Sequence, residues 1–183
     1  FAPSRILNPR SYPSGGAGMA GTAGDVLRFL EAIRAGGAPI LDAGTVEMMA
    51  TDHVGMGAGT QGPGWGFGYG WAVLVDPAPT GTPQAQGTLQ WGGAYGHSWF
   101  VDRANDLTVV ALTNTAFEGM SGAFPAEIRN ATSSGESFSA RPTISGTAMA
   151  PAYITSTCCS PSAASRGRGG FSSTGWTVVV VML

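Results

Sequence analysis

Lysine is missing from this 183-residue sequence: all nine of its basic residues are arginine. No lysine-assisted nucleophile and no Schiff base can be built from this chain alone. Charge of either sign is scarce, at 11% of residues with a net charge of −2, against about 25% in an ordinary domain. With no basic excess to neutralise a phosphate backbone, a nucleic-acid partner is not expected. The only two cysteines, Cys158 and Cys159, are adjacent, so they can neither staple distant segments nor form a zinc site, and they leave the redox compartment open. The only two histidines, His53 and His97, lack ligand spacing, and no metal or cofactor is implied. No apolar run approaches the ~20 residues of a membrane span, so no membrane partner is expected either. The chain starts at Phe1 rather than Met. It reads as a fragment with its N-terminus and any signal peptide missing, which leaves localisation unknown between cytoplasm and periplasm.

What is present is glycine, proline and enough apolar surface for one core. The chain has 29 glycines and 12 prolines, and 43% of its residues are apolar, sufficient for a single domain of ordinary size. Pro3, Pro9 and Pro13 make residues 1–21 extended. Thr22 and Asp25 have capping-box spacing, and Val26, Leu27, Leu30 and Ile33 form a helical stripe that Gly36 and Gly37 end. Asp42 is a second N-cap, ahead of Val46, Met48 and Met49, with Leu41 as a staple residue. The period then changes from 3.6 to 2. Trp65, Phe67, Tyr69 and Trp71 alternate with Gly64, Gly66, Gly68 and Gly70, which predicts one long strand continuing through Val73 and Val75. Further strands are expected at 88–92, 97–102 and 107–113, the last two joined by a turn containing Asn105 and Asp106. A final helix should begin near Pro125 and carry Ile128. This order predicts an α+β fold, an antiparallel sheet with helices packed on it.

Composition shifts after Ala131. Residues 132–183 hold 18 Ser or Thr and one acidic residue, Glu136, with no periodicity before the run from Val178 to Leu183. No helix or strand template fits them well. The expected organisation is therefore one domain over 1–131 and a low-complexity tail over 132–183, either naturally disordered or translated out of frame.

Two motifs invite a chemical reading. Gly96-His97-Ser98-Trp99-Phe100 looks at first like a nucleophile elbow. Such an elbow needs a strand before it, a helix after it and a small residue where Phe100 stands, and here a strand follows instead. Trp91-Gly92-Gly93-Ala94-Tyr95-Gly96 places three glycines at a strand end, where an open backbone N–H could polarise a carbonyl or the chain could simply bend. The aromatic strand admits a core-filling role or a carbohydrate-stacking platform.

Four segments together resemble a known family. They are Gly16-Ala17-Gly18-Met19-Ala20-Gly21-Thr22-Ala23-Gly24-Asp25, Gly66-Phe67-Gly68-Tyr69-Gly70-Trp71, Trp91-Gly92-Gly93 with Gly96 and Trp99-Phe100-Val101-Asp102, and Leu107-Thr108-Val109-Val110. Over residues 15–131 the chain resembles the C-terminal part of bacterial serine β-lactamase-like hydrolases: class C β-lactamases, penicillin-binding proteins and, above all, family VIII carboxylesterases. The resemblance implies a partial β-lactamase/transpeptidase-like fold. It also implies a parent enzyme in which the serine of a Ser-x-x-Lys motif attacks an acyl carbonyl while the lysine and a tyrosine manage the proton. Trp91-Gly92-Gly93 matches the Trp-x-Gly element of the esterases. By that match Trp91 lines the acyl pocket, Gly93 permits close approach, and the Ala94 N–H is an oxyanion-hole donor, with Gly92, Tyr95 and His97 beside the substrate. Trp91 in place of a lysine favours neutral esters over β-lactams. Ser-x-x-Lys cannot occur without lysine, so the chain alone should be inactive, its parent taking a small-molecule ester or β-lactam and no partner protein. The rival readings are a non-catalytic substrate-binding module and a lectin-like carbohydrate-binding module.

Overall fold

The computed structural model describes residues 4, 7–16, 19–94, 96–113, 116–117 and 122–133, and the backbone of 153–158 and 176–181. Helix α1, Ala23–Arg34, starts at the Thr22 capping box: Thr22 Oγ1 accepts the Asp25 N–H at 3.2 Å, and Asp25 Oδ2 accepts the Thr22 N–H at 3.0 Å. Helix α2, Ala43–Met49, starts at Asp42, whose Oδ1 accepts the Thr45 N–H at 2.8 Å. These satisfy N–H groups that a helix start otherwise leaves unpaired.

Strands β1 (Trp65–Phe67), β2 (Ala72–Leu74), β3 (Leu89–Gly92), β4 (Ser98–Asp102) and β5 (Leu107–Leu112) follow, each antiparallel to the next in one sheet. Helix α3 covers Phe124–Ser133. Leu30 and Ile33 of α1 and Val46 of α2 pack with Val73, Leu89, Val101 and Val110 in the main core. Ile128 of α3 packs on Phe100, Leu107 and Val109, neighbours of opposite parity along the strands. The helices therefore clasp the sheet from both faces, as the pleat dictates. The expected antiparallel sheet with packed helices is what the structure has in β1–β5.

Two features depart from the sequence expectation. The glycine/aromatic segment is a hairpin, not one long strand. After Phe67 the chain turns through Gly68 to Trp71, with the Gly68 N–H bonded to the Trp71 carbonyl at 2.9 Å, and returns as β2. Gly70 sits at φ +105° in that turn, a conformation open to glycine and strained for other residues. Alternation continued through the turn, so periodicity alone concealed the reversal.

The second departure lies after α3, where no strand was expected. Strand β6, Tyr153–Cys158, pairs antiparallel with β7, Trp176–Val181, and β7 pairs parallel with β5. Tyr, Ile, Thr and Val favour the pleated sheet, and a count of Ser and Thr together hides the β-forming half of that pair. The parallel pairing adds a parallel neighbour to the antiparallel sheet of β1–β5. It sets Val178–Val181 beside the apolar run of β5, as parallel strands require.

Candidate functional site

The Trp91–His97 stretch is the hairpin end joining β3 to β4. Cross-strand pairing sets Trp91 opposite Trp99 and Gly92 opposite Ser98. Beyond the ladder the Gly93 N–H donates to the His97 carbonyl at 2.8 Å, and the Gly96 N–H donates to the Gly93 carbonyl at 3.0 Å. Thr113 Oγ1, just past β5, donates to the Gly96 carbonyl at 2.9 Å, and the Phe117 N–H donates to the Ala94 carbonyl at 2.6 Å. The loop is thus tied to the strand beside it. The Ala94 N–H has no hydrogen-bond partner among the described residues, and Ala94 is exposed.

The two tryptophans of the cross-strand pair sit differently. Trp99 packs against the core and meets Trp71 edge-on, centroids 6.1 Å apart at 90°. Trp91 is 37% exposed and meets the Phe67 ring edge-on, at 5.2 Å and 76°. Below it, buried Gln90 locks β3 to its surroundings: Nε2 donates to Gln61 Oε1 at 3.1 Å, and Oε1 accepts Arg129 Nη1 at 3.4 Å. Burial pulls the Arg129 guanidinium below its ordinary pKa.

Gly93 lies in open backbone. A Cβ there would meet only His97, at 3.6 Å from Cδ2 and 3.7 Å from Cβ, an ordinary contact, and its φ is outside the left-handed range. The fold itself does not demand glycine at this position. By contrast, Gly66 and Gly68 of the aromatic hairpin are demanded. A Cβ on Gly66 would run into the Asp52 carboxylate, and one on Gly68 into the Met49 carbonyl. Through that gap Asp52 Oδ1 accepts the N–H groups of Phe67, Val54 and Gly55, each at 3.0 Å. These bonds, that from Phe67 foremost, hold the Asp52 carboxyl below its usual pKa. The Met49 carbonyl accepts both the Tyr69 N–H at 3.1 Å and Trp71 Nε1 at 3.0 Å.

Of the residues singled out from sequence, Trp91, Gly92, Gly93, Ala94 and His97 come together on this one hairpin. Tyr95 lies outside the described residues. Ser98 sits at the start of β4, a strand-turn-strand setting unlike a nucleophile elbow. His53 stacks on Tyr69 at 4.3 Å and bonds through Nε2 to the Met48 carbonyl at 2.7 Å. Trp65 and Trp71 are buried, so the aromatic segment does not form a stacking platform. Sequence reasoning missed Phe67 as a neighbour of Trp91. Alternation put Phe67 among the aromatics, but nothing local reveals a partner in a different hairpin.

Comparison with known proteins places the chain in a family. The family model described as Beta-lactamase matches residues 2–133. The chain is 62% identical over 131 residues to Esterase EstB of Burkholderia gladioli, covering 72% of this chain and 33% of that protein. Among solved structures, EstCE1, described as a hydrolase with promiscuous acyltransferase activity, superposes with a TM-score of 0.64 at 56% identity. That match covers 72% of this chain and 34% of the other. The chain thus spans about a third of the length of these relatives.

Proposed function

The chain belongs to the β-lactamase family of hydrolases, and on that premise we propose that it supplies one wall of an acyl-ester hydrolase site. The observation that carries the reading is the β3–β4 hairpin end. A part-exposed indole, a glycine the fold does not require and an N–H without a partner among the described residues follow one another at Trp91, Gly93 and Ala94. An ester carbonyl seated over Gly93 would find the Ala94 N–H as a hydrogen-bond donor where negative charge develops on its oxygen. Such a donor is worth about 10²–10³ in kcat. Trp91 would flank the acyl chain with apolar surface and offers no cation to a carboxylate, which favours neutral esters over β-lactams.

In this reading the nucleophilic serine with its lysine, and the tyrosine, come from a part of the parent enzyme other than these 183 residues, which hold no lysine. The hairpin then binds and polarises; it does not attack. The lectin-like reading draws no support from a segment whose Trp65 and Trp71 are buried.

The test is a transplant. A full-length chimera carrying this chain's matched segment in place of the corresponding part of Esterase EstB should hydrolyse p-nitrophenyl esters. The 183-residue chain alone should show no turnover above background, because loss of the nucleophile costs several orders of magnitude. Turnover by the chain alone that Ser98→Ala abolishes, or a folded chimera without activity, would overturn the proposal.

A further inference from the structure

From the contact between two hairpins we infer that Phe67 is a specificity-determining residue, setting the width of the acyl pocket by fixing the Trp91 ring. The inference rests on the proposed function and deepens it. Trp91 lies at the end of β3, beyond the register in which β2 pairs with β3 at Ala72–Gln90 and Val73–Leu89. The β3–β4 ladder sets its backbone opposite Trp99, but no strand pairs with it on the β2 side, and there its indole is placed by side-chain contact. The ring meeting it is Phe67, edge-on at 5.2 Å. Edge-on contact is a favoured geometry for an aromatic pair and adds to what burial alone gives.

Phe67 is itself held from behind. Its N–H donates to Asp52 Oδ1 at 3.0 Å, and its carbonyl accepts the His53 N–H at 2.9 Å. Asp52 reaches it because Gly66 carries no side chain, and the Met49 and Thr51 backbone closes in because Gly68 carries none. The line of support runs from the loop after α2, through Asp52, to the Phe67 backbone, its ring and the Trp91 indole. A side chain shorter than phenylalanine leaves Trp91 free to swing and widens the wall on which an acyl chain would lie. Each added methylene that an apolar pocket admits or excludes is worth roughly 10–200-fold in discrimination.

The experiment has two arms. In the 183-residue chain, the Trp91 emission, taken as the difference from the Trp91→Phe variant, should become more accessible to acrylamide in Phe67→Leu and stay unchanged in Tyr69→Leu. In the full-length chimera, Phe67→Leu should raise the ratio of kcat/KM for hexanoate over acetate p-nitrophenyl esters about tenfold. Phe67→Met, which preserves more volume, should move it in the same direction. Tyr69, exposed and stacked on His53, serves as the control, and Tyr69→Leu should leave the ratio at its parent value. Should Trp91→Ala alter acyl preference while both Phe67 variants keep the parent ratio, the inference fails and the site reading stands. Should Trp91→Ala leave the ester kinetics untouched, the site reading itself fails.

Discussion

Glycine has two opposite roles along this wall. Gly68 is glycine because the Met49 carbonyl occupies the space a Cβ would take, whereas Gly93 faces only the edge of His97 at ordinary contact distance. Gly68→Ala therefore forces backbone apart and should cost about 1–3 kcal/mol or more of stability. Gly93→Ala should stay within about 0.5 kcal/mol of the parent, yet in the chimera lower kcat/KM for esters. Urea unfolding of the chain and ester kinetics of the chimera read the two effects separately, and a large stability loss in Gly93→Ala would contradict the assignment. At this scale the sequence made the glycine-rich strand end at Trp91-Gly92-Gly93 legible, for which we propose a role in the site. Phe67 was not legible, because its proposed role rests on a ring 24 residues along the chain that meets it only after folding.

The elements begin and dock through carboxylates that bind N–H groups. Asp25 caps α1, Asp42 caps α2, and Asp52 fastens the loop after α2 to β1. Each is held below the usual carboxylate pKa. For Asp25 the main cause is the Thr22 backbone N–H, for Asp42 the Thr45 hydroxyl, and for Asp52 the Phe67 N–H. A depressed folded-state pKa contributes stability that is present above the unfolded value, about 4, and lost as pH falls through the folded value. Urea midpoints should therefore decline as pH drops from 6 to 3. Asp52→Asn, which keeps an acceptor without a charge, should decline less steeply, and parallel profiles would contradict the role given to Asp52. The caps were legible because Thr-x-x-Asp and Asp-x-x-Thr are local chemistry. The β1–β2 reversal was not: the alternation of aromatic and glycine ran straight through it. Strands β6 and β7 were hidden for a different reason, since their partner β5 lies far back in the chain and their threonines were counted with serine.

For the whole molecule, an antiparallel sheet with helices packed on it followed from the order of periods; that the helices lie on both of its faces is seen only in the structure. What composition, period and spacing could not locate is where the proposed site would open, because that depends on which of two paired tryptophans packs into the core. Trp99 is half-buried against the core, whereas Trp91 is 37% exposed. The central claim is tested most directly by kcat/KM for a short-chain p-nitrophenyl ester and the urea unfolding free energy, measured together on Trp91→Ala and Trp99→Ala chimeras. The account predicts a strong loss of kcat/KM in Trp91→Ala with stability changed by no more than about 1–2 kcal/mol. It predicts a loss of about 3–5 kcal/mol in Trp99→Ala. A Trp91→Ala enzyme that unfolds readily yet turns over ester normally in its folded fraction would contradict it.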